Sequence, residues 1–564
     1  MESVIGSIET VSNFIWGGAW GDTRILPVGP LGIILLGTGI IMMIRLGARP
    51  LRRFVPALVE VWKGRKAQGE DGAITPWQAL STALSGQVGT GNLAGVATAI
   101  TLGGPGAIFW MWIVALFGMA LAFSESSLAV KYRETDEYGR INGGPMYYIK
   151  NGLGRKWGWL AVIFCLGTLC SASVTGSMIQ ANSITEAVVE TGDSVAGLAI
   201  PAWLVGLVLS ALVFAVIIGG IKSIGSVAGK VVPVMAAAYV LIALVVLLLN
   251  APKVPAAFMQ IIGSAFGWQE AVGGAAGYGV LSAIRAGIAR GLFSNEAGQG
   301  SAPIAHAAAQ TKNPVEQGEI AMIGVFIDTI IICTMTALVI LTVTGDFKKS
   351  PSLMAANSCV AAGIETPGGT DIGALFPSAS TEGRERLVAE NSAAATAYLE
   401  SCRQAGVEVD DLALAAASDP DILIDVDHAW QTDANSSAIT TRAYGEALPY
   451  GEFIVAIALL FFAFTTILGW SYYGEQAVTY LVGEWATHPF RYLWVLVVFA
   501  GTVLPATQLW LLGDIANASM AFPNLIAILA LSGVVVSMHK LGDDPDHGHP
   551  VHDYSQHDED APGE

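Results

Sequence analysis

Eleven apolar stretches punctuate this chain of 564 residues, near 27–47, 76–102, 107–130, 158–182, 200–220, 226–250, 275–308, 319–345, 451–472, 491–510 and 521–539. Each has roughly the 20 residues that a helix needs to cross the hydrocarbon of a bilayer. Hydrocarbon offers a backbone no hydrogen bonds, so such segments cross it as helices that satisfy themselves. The charged fraction, 13%, is about half that of an average soluble domain. The expected fold is an all-α polytopic membrane protein. Gly513-Asp514 and Pro523 interrupt the region of the last two stretches, which predicts a half-helix or a twelfth span there.

Lys and Arg crowd the loops after the first stretch (Arg45, Arg49, Arg52, Arg53, Lys63, Arg65, Lys66) and after the third (Lys131, Arg133, Arg140, Lys150, Arg155, Lys156). Short basic loops stay cytoplasmic. Eleven spans then place the N-terminus outside the cell membrane and the C-terminus inside. Met1 to Asn13 lacks the basic start of a cleavable signal peptide, so the first span is expected to direct insertion.

The net charge of −18 sits in two appendages. Residues 346–450 hold sixteen acids and six bases, and 541–564 hold eight acids and no base. The expected organisation is an N-terminal segment with the first span and a basic loop (1–75), a membrane body (76–346 and 436–540), an acidic extracytoplasmic insertion (347–435) and a disordered acidic cytoplasmic tail (541–564). Helical composition at 381–405 and 410–417 predicts a small cap in the insertion. Cys359 and Cys402 lie in it, either as a disulfide, which an oxidising exterior permits, or as two free thiols. The tail histidines His547, His549, His552 and His557 read as part of a solubilising tail rather than a weak metal site. Cys165, Cys170 and Cys333 fall within spans as small core residues.

Two of the stretches are broken. Ser85-Gly86-Gln87-Val88-Gly89-Thr90-Gly91-Asn92 interrupts 76–102, and 291–300 interrupts 275–308 with the sequence GLFSNEAGQG. A break at mid-depth is tolerated where its backbone lines a cavity or holds a ligand, and paired broken helices mark the binding site of a secondary transporter. Where a helix restarts, its unpaired N–H groups and dipole suit a carboxylate. Gly89 and Gly91 let a ligand approach the backbone closely. Carbonyls released at Ser85 and Val88 are hard, uncharged oxygens that suit sodium. The Gly86-x-x-Gly89-x-Gly91 spacing is not a phosphate loop, since it follows no strand. Close packing through small residues is the competing explanation of the first break taken alone.

Thr465-Thr466, in another span, would complete a cation site by facing the break instead of bonding back to their own helix. Trp470, near the end of the same span, is by default an interfacial belt residue. Buried ionisable groups normally face the bundle interior; here they are Glu125, Arg285, Arg290, Glu296 and Asp328, and Glu296 is expected to pair with Arg290 to pin the second break. His306 reads as a satisfied helix histidine.

The segments TALSGQVGTGN (82–92), IARGLFSNEAG (288–298) and FTTILGW (464–470) resemble the alanine or glycine:cation symporter family. The likeness takes in the membrane body and leaves out 352–434 and the tail. It implies the leucine-transporter (LeuT) fold, an inverted-repeat bundle of ten helices, here with one extra N-terminal helix at 27–47. Each repeat would begin with a broken helix. By the same resemblance the carbonyls of Ser85, Val88 and Phe462 and the hydroxyls of Thr465 and Thr466 would hold sodium. The amino acid would lie among Ser85, Gly89, Thr90, Gly91, Asn92, Gln180, Phe293 and Trp470.

Phe293, Trp470 and Gln180 in one cavity leave little room beyond a methyl group, so alanine or glycine is the expected substrate. Sodium and substrate would be taken up together by alternating access. A proton-coupled carrier titrating Glu296, and an amino-acid-gated receptor or channel reading its ligand through the insertion, are the other readings. No serine has a nearby histidine and acid in a defensible arrangement, so no enzyme is expected, and neither is a nucleic-acid partner. Oligomeric state is left open.

Overall fold

The computed structural model describes residues 8, 10–20, 23–66, 72–196, 200–267, 274–343, 359, 364, 366, 384–405, 407, 409, 437–504 and 506–541. Single turns aside, the helices are α1 (Pro30–Arg45), α2 (Phe54–Lys63), α3 (Pro76–Gln87), α4 (Val96–Gly103), α5 (Gly106–Lys131), α6 (Gly158–Ser171), α7 (Ile179–Ala196), α8 (Ala202–Ile217), α9 (Gly220–Leu249) and α10 (Val254–Ala265). They continue as α11 (Gly274–Asn295), α12 (Ala302–Ala307), α13 (Pro314–Val325), α14 (Thr334–Val343), α15 (Arg384–Gln404), α16 (Ser437–Ala447), α17 (Gly451–Val482), α18 (Thr487–Val503), α19 (Ala506–Ala530) and α20 (Ser532–Leu541). Wide π-helical turns at Gly91–Gly95, Ala172–Met178 and Phe326–Cys333 open α4, join α6 to α7 and join α13 to α14. Two antiparallel ribbons of two-residue strands are the sheet structure among the described residues.

The chain is an all-α polytopic membrane protein. Helical structure lies on each of the eleven apolar stretches. Among the described residues six helical segments are long and apolar enough to cross a membrane: Gly106–Lys131, Arg155–Val189, Gly220–Leu249, Pro314–Val343, Gly451–Val482 and Leu512–Ala530. Pro30–Arg45, Gly91–Gly103 and Ala202–Ile217 are apolar but shorter.

Three expectations need correction. Gly513-Asp514 and Pro523 do not break α19, which is continuous. Gly513 is a packing residue, because a methyl group there would come within 2.8 Å of Thr175 Oγ1, and Asp514 is drawn to Arg290. The second break is shorter than 291–300: α11 runs on to Asn295, since nothing in Gly291-Leu292-Phe293-Ser294 forbids helical backbone. Cys170 is exposed, whereas Cys165 and Cys333 are buried.

Two large apolar clusters form the core. One gathers Leu31, Phe123, Phe164, Trp470 and Trp494, and the other Leu93, Tyr239, Ile332, Tyr444 and Phe462. Helix α5 packs on α11 and α13, α3 packs on α9 and α17, and α4 packs on α11. Both breaks are thereby enclosed by helices that satisfy what hydrocarbon would not. In the insertion, α15 follows the predicted helix, and Cys359 and Cys402 are joined in a disulfide within a separate small cluster with Tyr398, Leu399 and Val409. The 410–417 helix and the tail lie outside the described residues.

Candidate transport site

Helix α3 is started by chemistry and stopped by it. Thr75 and Gln78 form a reciprocal capping box with Pro76 in the first turn, which satisfies two of the free N-terminal donors. At the other end Val88 turns to φ −81°, ψ 91°, and its amide closes the last bond to the Leu84 carbonyl at 2.7 Å. The next amide, of Gly89, would be aimed at the Ser85 carbonyl by a continuing helix. It donates to Asn92 Oδ1 instead, at 2.9 Å. Gln180 clamps the following residue: its Oε1 accepts from the Thr90 amide at 3.2 Å and its Nε2 donates to Thr90 Oγ1 at 3.0 Å. Two amides expected to face a carboxylate are thus held by side-chain amide oxygens.

The second break turns on positive φ angles: Glu296 at 56°, Gly298 at 84° and Gly300 at 90°. Glycine adopts these without cost, whereas Glu296 does so under constraint. Asn295 Oδ1 accepts from the Ala297 amide at 3.0 Å. Gln87 Nε2 donates to the Asn295 carbonyl at 2.8 Å and ties one break to the other.

Between the breaks is a cavity of about 10 Å³, room for one water. Of the sequence-predicted residues, Gly89, Gly91, Gln180, Phe293, Thr466 and Trp470 line it. Gly91 faces the Phe293 ring so closely that a methyl group would come within 3.0 Å. Ser85, Val88, Thr90, Asn92, Phe462 and Thr465 lie outside its wall. Asn92 is turned behind the break, where its Nδ2 donates to Asp328 Oδ1 at 2.6 Å. Asp328 Oδ2 accepts from Ser294 at 2.7 Å and from Thr329 at 2.8 Å. Ser85 Oγ bonds to the Thr82 carbonyl at 2.7 Å beside Gly469, where α3 and α17 meet.

Four of the five expected cation ligands are brought together. The Phe462 carbonyl accepts from Thr465 at 3.0 Å and from Thr466 at 2.9 Å, and Thr466 Oγ1 is also 3.3 Å from the Val88 carbonyl. Both threonines therefore bond to their own helix, and Thr466 reaches the break as well.

Gln87, Thr175, Gln299 and Asn517 line the cavity and were missed. Gln87 and Gln299 stand inside the two breaks and Thr175 inside the 158–182 stretch, whereas Asn517 falls between the last two stretches and carried no signal. Glu296 was singled out but given the wrong partner. It lines the cavity, accepting from Trp470 Nε1 at 3.0 Å and from Ser301 Oγ at 2.6 Å. Arg290 lies six residues earlier, about 9 Å along the helix, and pairs with Asp514 Oδ2 at 3.5 Å. Its guanidinium stands 5.6 Å from the Phe293 ring. Trp470 is 2% exposed and so is no belt residue. Glu125 accepts from Asn524 at 2.8 Å, Arg285 donates to the Pro27 carbonyl, and buried His306 bonds Gln317 Nε2 at 2.6 Å.

The chain matches the family described as the sodium:alanine symporter family over residues 10–374 and 389–544. The match reaches into the insertion, contrary to the expected gap at 352–434, and leaves out 1–9, 375–388 and 545–564. The chain is 37% identical over 540 residues to the sodium/alanine symporter AgcS of Methanococcus maripaludis, covering 94% of this chain and 96% of that protein. It is 34% identical over 508 residues to the putative sodium/proton-dependent alanine carrier protein YrbD of Bacillus subtilis (89% and 87% covered). To the probable sodium/glutamine symporter GlnT of the same bacterium it is 32% identical over 521 residues (91% and 89%). Broken helices, buried polar cavity and family match agree: the chain belongs to the sodium:alanine symporter family and is a cation-coupled amino-acid symporter of the membrane.

Proposed function

We propose that the chain takes up a small neutral amino acid, alanine or glycine, together with sodium by alternating access, on a LeuT-like bundle of ten helices preceded by α1. The observation that carries this reading is the first break: its side-chain-free Gly89 and Gly91 face Phe293 and Trp470 across the small cavity, beside the oxygens of Val88, Phe462, Thr465 and Thr466. The substrate carboxylate takes the place of Gln180 Oε1 on the amides near Thr90, with Ser85 and Asn92 supporting the break. Sodium sits among the carbonyls of Ser85, Val88 and Phe462 and the hydroxyls of Thr465 and Thr466. Each ligand then favours the other's binding, which is the coupling free energy that symport needs. Phe293 and Trp470 set the size limit, and a methylene that does not fit costs about 1–3 kcal/mol. The membrane potential adds roughly 2.3 kcal/mol per charge per 100 mV. The insertion faces the extracytoplasmic side and the tail the cytoplasm.

Proton coupling is a second reading with its own observation. Glu125, Glu296 and Asp328 are buried, and none of them is in an ion pair among the described residues. YrbD, with sodium or protons in its name, supports it. The deciding measurement is alanine uptake into proteoliposomes under an imposed sodium gradient, against a proton gradient alone. Sodium alone should drive accumulation; uptake in neither condition overturns the proposal.

A further inference from the structure

We propose that Glu296, with Gln299 and Thr175, forms the subsite that takes the ammonium group of the substrate; this rests on the reading just given. The carboxylate of Glu296 is buried and held by two neutral donors, Trp470 Nε1 and Ser301 Oγ. A buried charge with no cation beside it is costly, and this one faces a cavity that must admit a zwitterion. Three oxygens of lining residues have no partner among the described residues; Gln87 Oε1 lies against Gly324, and the other two are Gln299 Oε1 and Thr175 Oγ1. Both residues are buried, 1% and 5% exposed, where polar atoms are nearly always bonded. Gln299 is fixed in its orientation because its Nε2 donates to Asn517 Oδ1 at 3.0 Å, and that same oxygen accepts from Ser171. The acceptor end of Gln299 is therefore the end left over.

An ammonium group has three N–H donors and no acceptor. A carboxylate, an amide oxygen and a hydroxyl oxygen around one small cavity match that inventory. The first break supplies the other pole, since its amides now bond to amide oxygens in the place of a carboxylate. The site is thus polarised, and it selects α-amino acids over the corresponding hydroxy acids. Lactate keeps the carboxylate and methyl group of alanine but offers a single neutral donor where alanine offers three with a positive charge.

The test is displacement of labelled alanine by unlabelled alanine and by lactate, at saturating sodium, on the purified full-length protein in nanodiscs. Glu296→Gln should weaken alanine at least about tenfold while leaving lactate unchanged or stronger, so that the preference for alanine falls by the same factor or more. Thr175→Val keeps the shape, removes one acceptor and should lower the preference several-fold; it decides the matter if the first variant does not fold. A preference unchanged in the variants that fold, whether both affinities fall together or neither moves, overturns the inference. Failure of the wild-type protein to bind alanine at all overturns instead the function proposed above.

Discussion

A methyl group added at Gly89 would sit 2.6 Å from Thr466 Oγ1 and 3.2 Å from Gln180 Oε1, so one atom would disturb both the expected cation ligands and the clamp on the break. Overpacking of this kind costs about 1–3 kcal/mol. Gly89→Ala should therefore lower initial rates of sodium-driven uptake roughly ten- to a hundredfold, whereas Gly533→Ala, where the added methyl meets nothing within 4 Å, should leave them unchanged. Equal rates in the two variants would remove Gly89 from the site. At this scale the sequence was informative where backbone is the chemistry. Gly89 and Gly91 stand out because nothing else permits such an approach. Gln299 and Asn517 do not, because their roles depend on helices more than a hundred residues away in the chain. Glu296 was visible as a buried acid, but its partner was set by a positive φ angle that no local pattern announces.

Between elements, one set of buried polar contacts ties the turn after α1 to α13 and α20. Arg49, in the turn between α1 and α2, pairs with Glu319 of α13 at 2.7 Å, both almost fully buried, and Arg53 joins them at 3.0 Å. The other face of Arg49 meets His539 Nδ1 of α20. Replacing one partner of a buried pair strands the other, at about 3–5 kcal/mol. Glu319→Gln should accordingly lower the thermal midpoint of the detergent-solubilised protein, and an unchanged midpoint would show that water already reaches the guanidinium. The length of the apolar stretches located these helices well because length and hydropathy suffice in lipid. It misjudged α19, where Gly513 and Asp514 serve contacts with Ala172–Met178 and with Arg290 rather than a break. The extent of the second break was misjudged for a related reason: α11 keeps helical bonds through Asn295, and only the left-handed residues after it turn the chain.

Across the molecule, the two large clusters of the membrane body are separate from the small one around Cys359 and Cys402. The paired substitution Cys359→Ser and Cys402→Ser should hasten proteolysis within 359–409 by relaxing its unfolded state, with alanine uptake retained. Loss of uptake would mean that the insertion is coupled to the site after all. The charge count foresaw an acidic appendage here, and composition foresaw α15. Whether its cysteines were bonded rested on a separation that only the folded chain defines.

The bond from the Gln87 side chain to the Asn295 carbonyl ties together two bends whose residues lie 208 positions apart in the chain. A motion that separates the two bends has to break that bond, whereas one that carries both bends together against α17 keeps it. In the second case the surface that would have to slide is the close contact of Gly469 with Ser85 and Gly86.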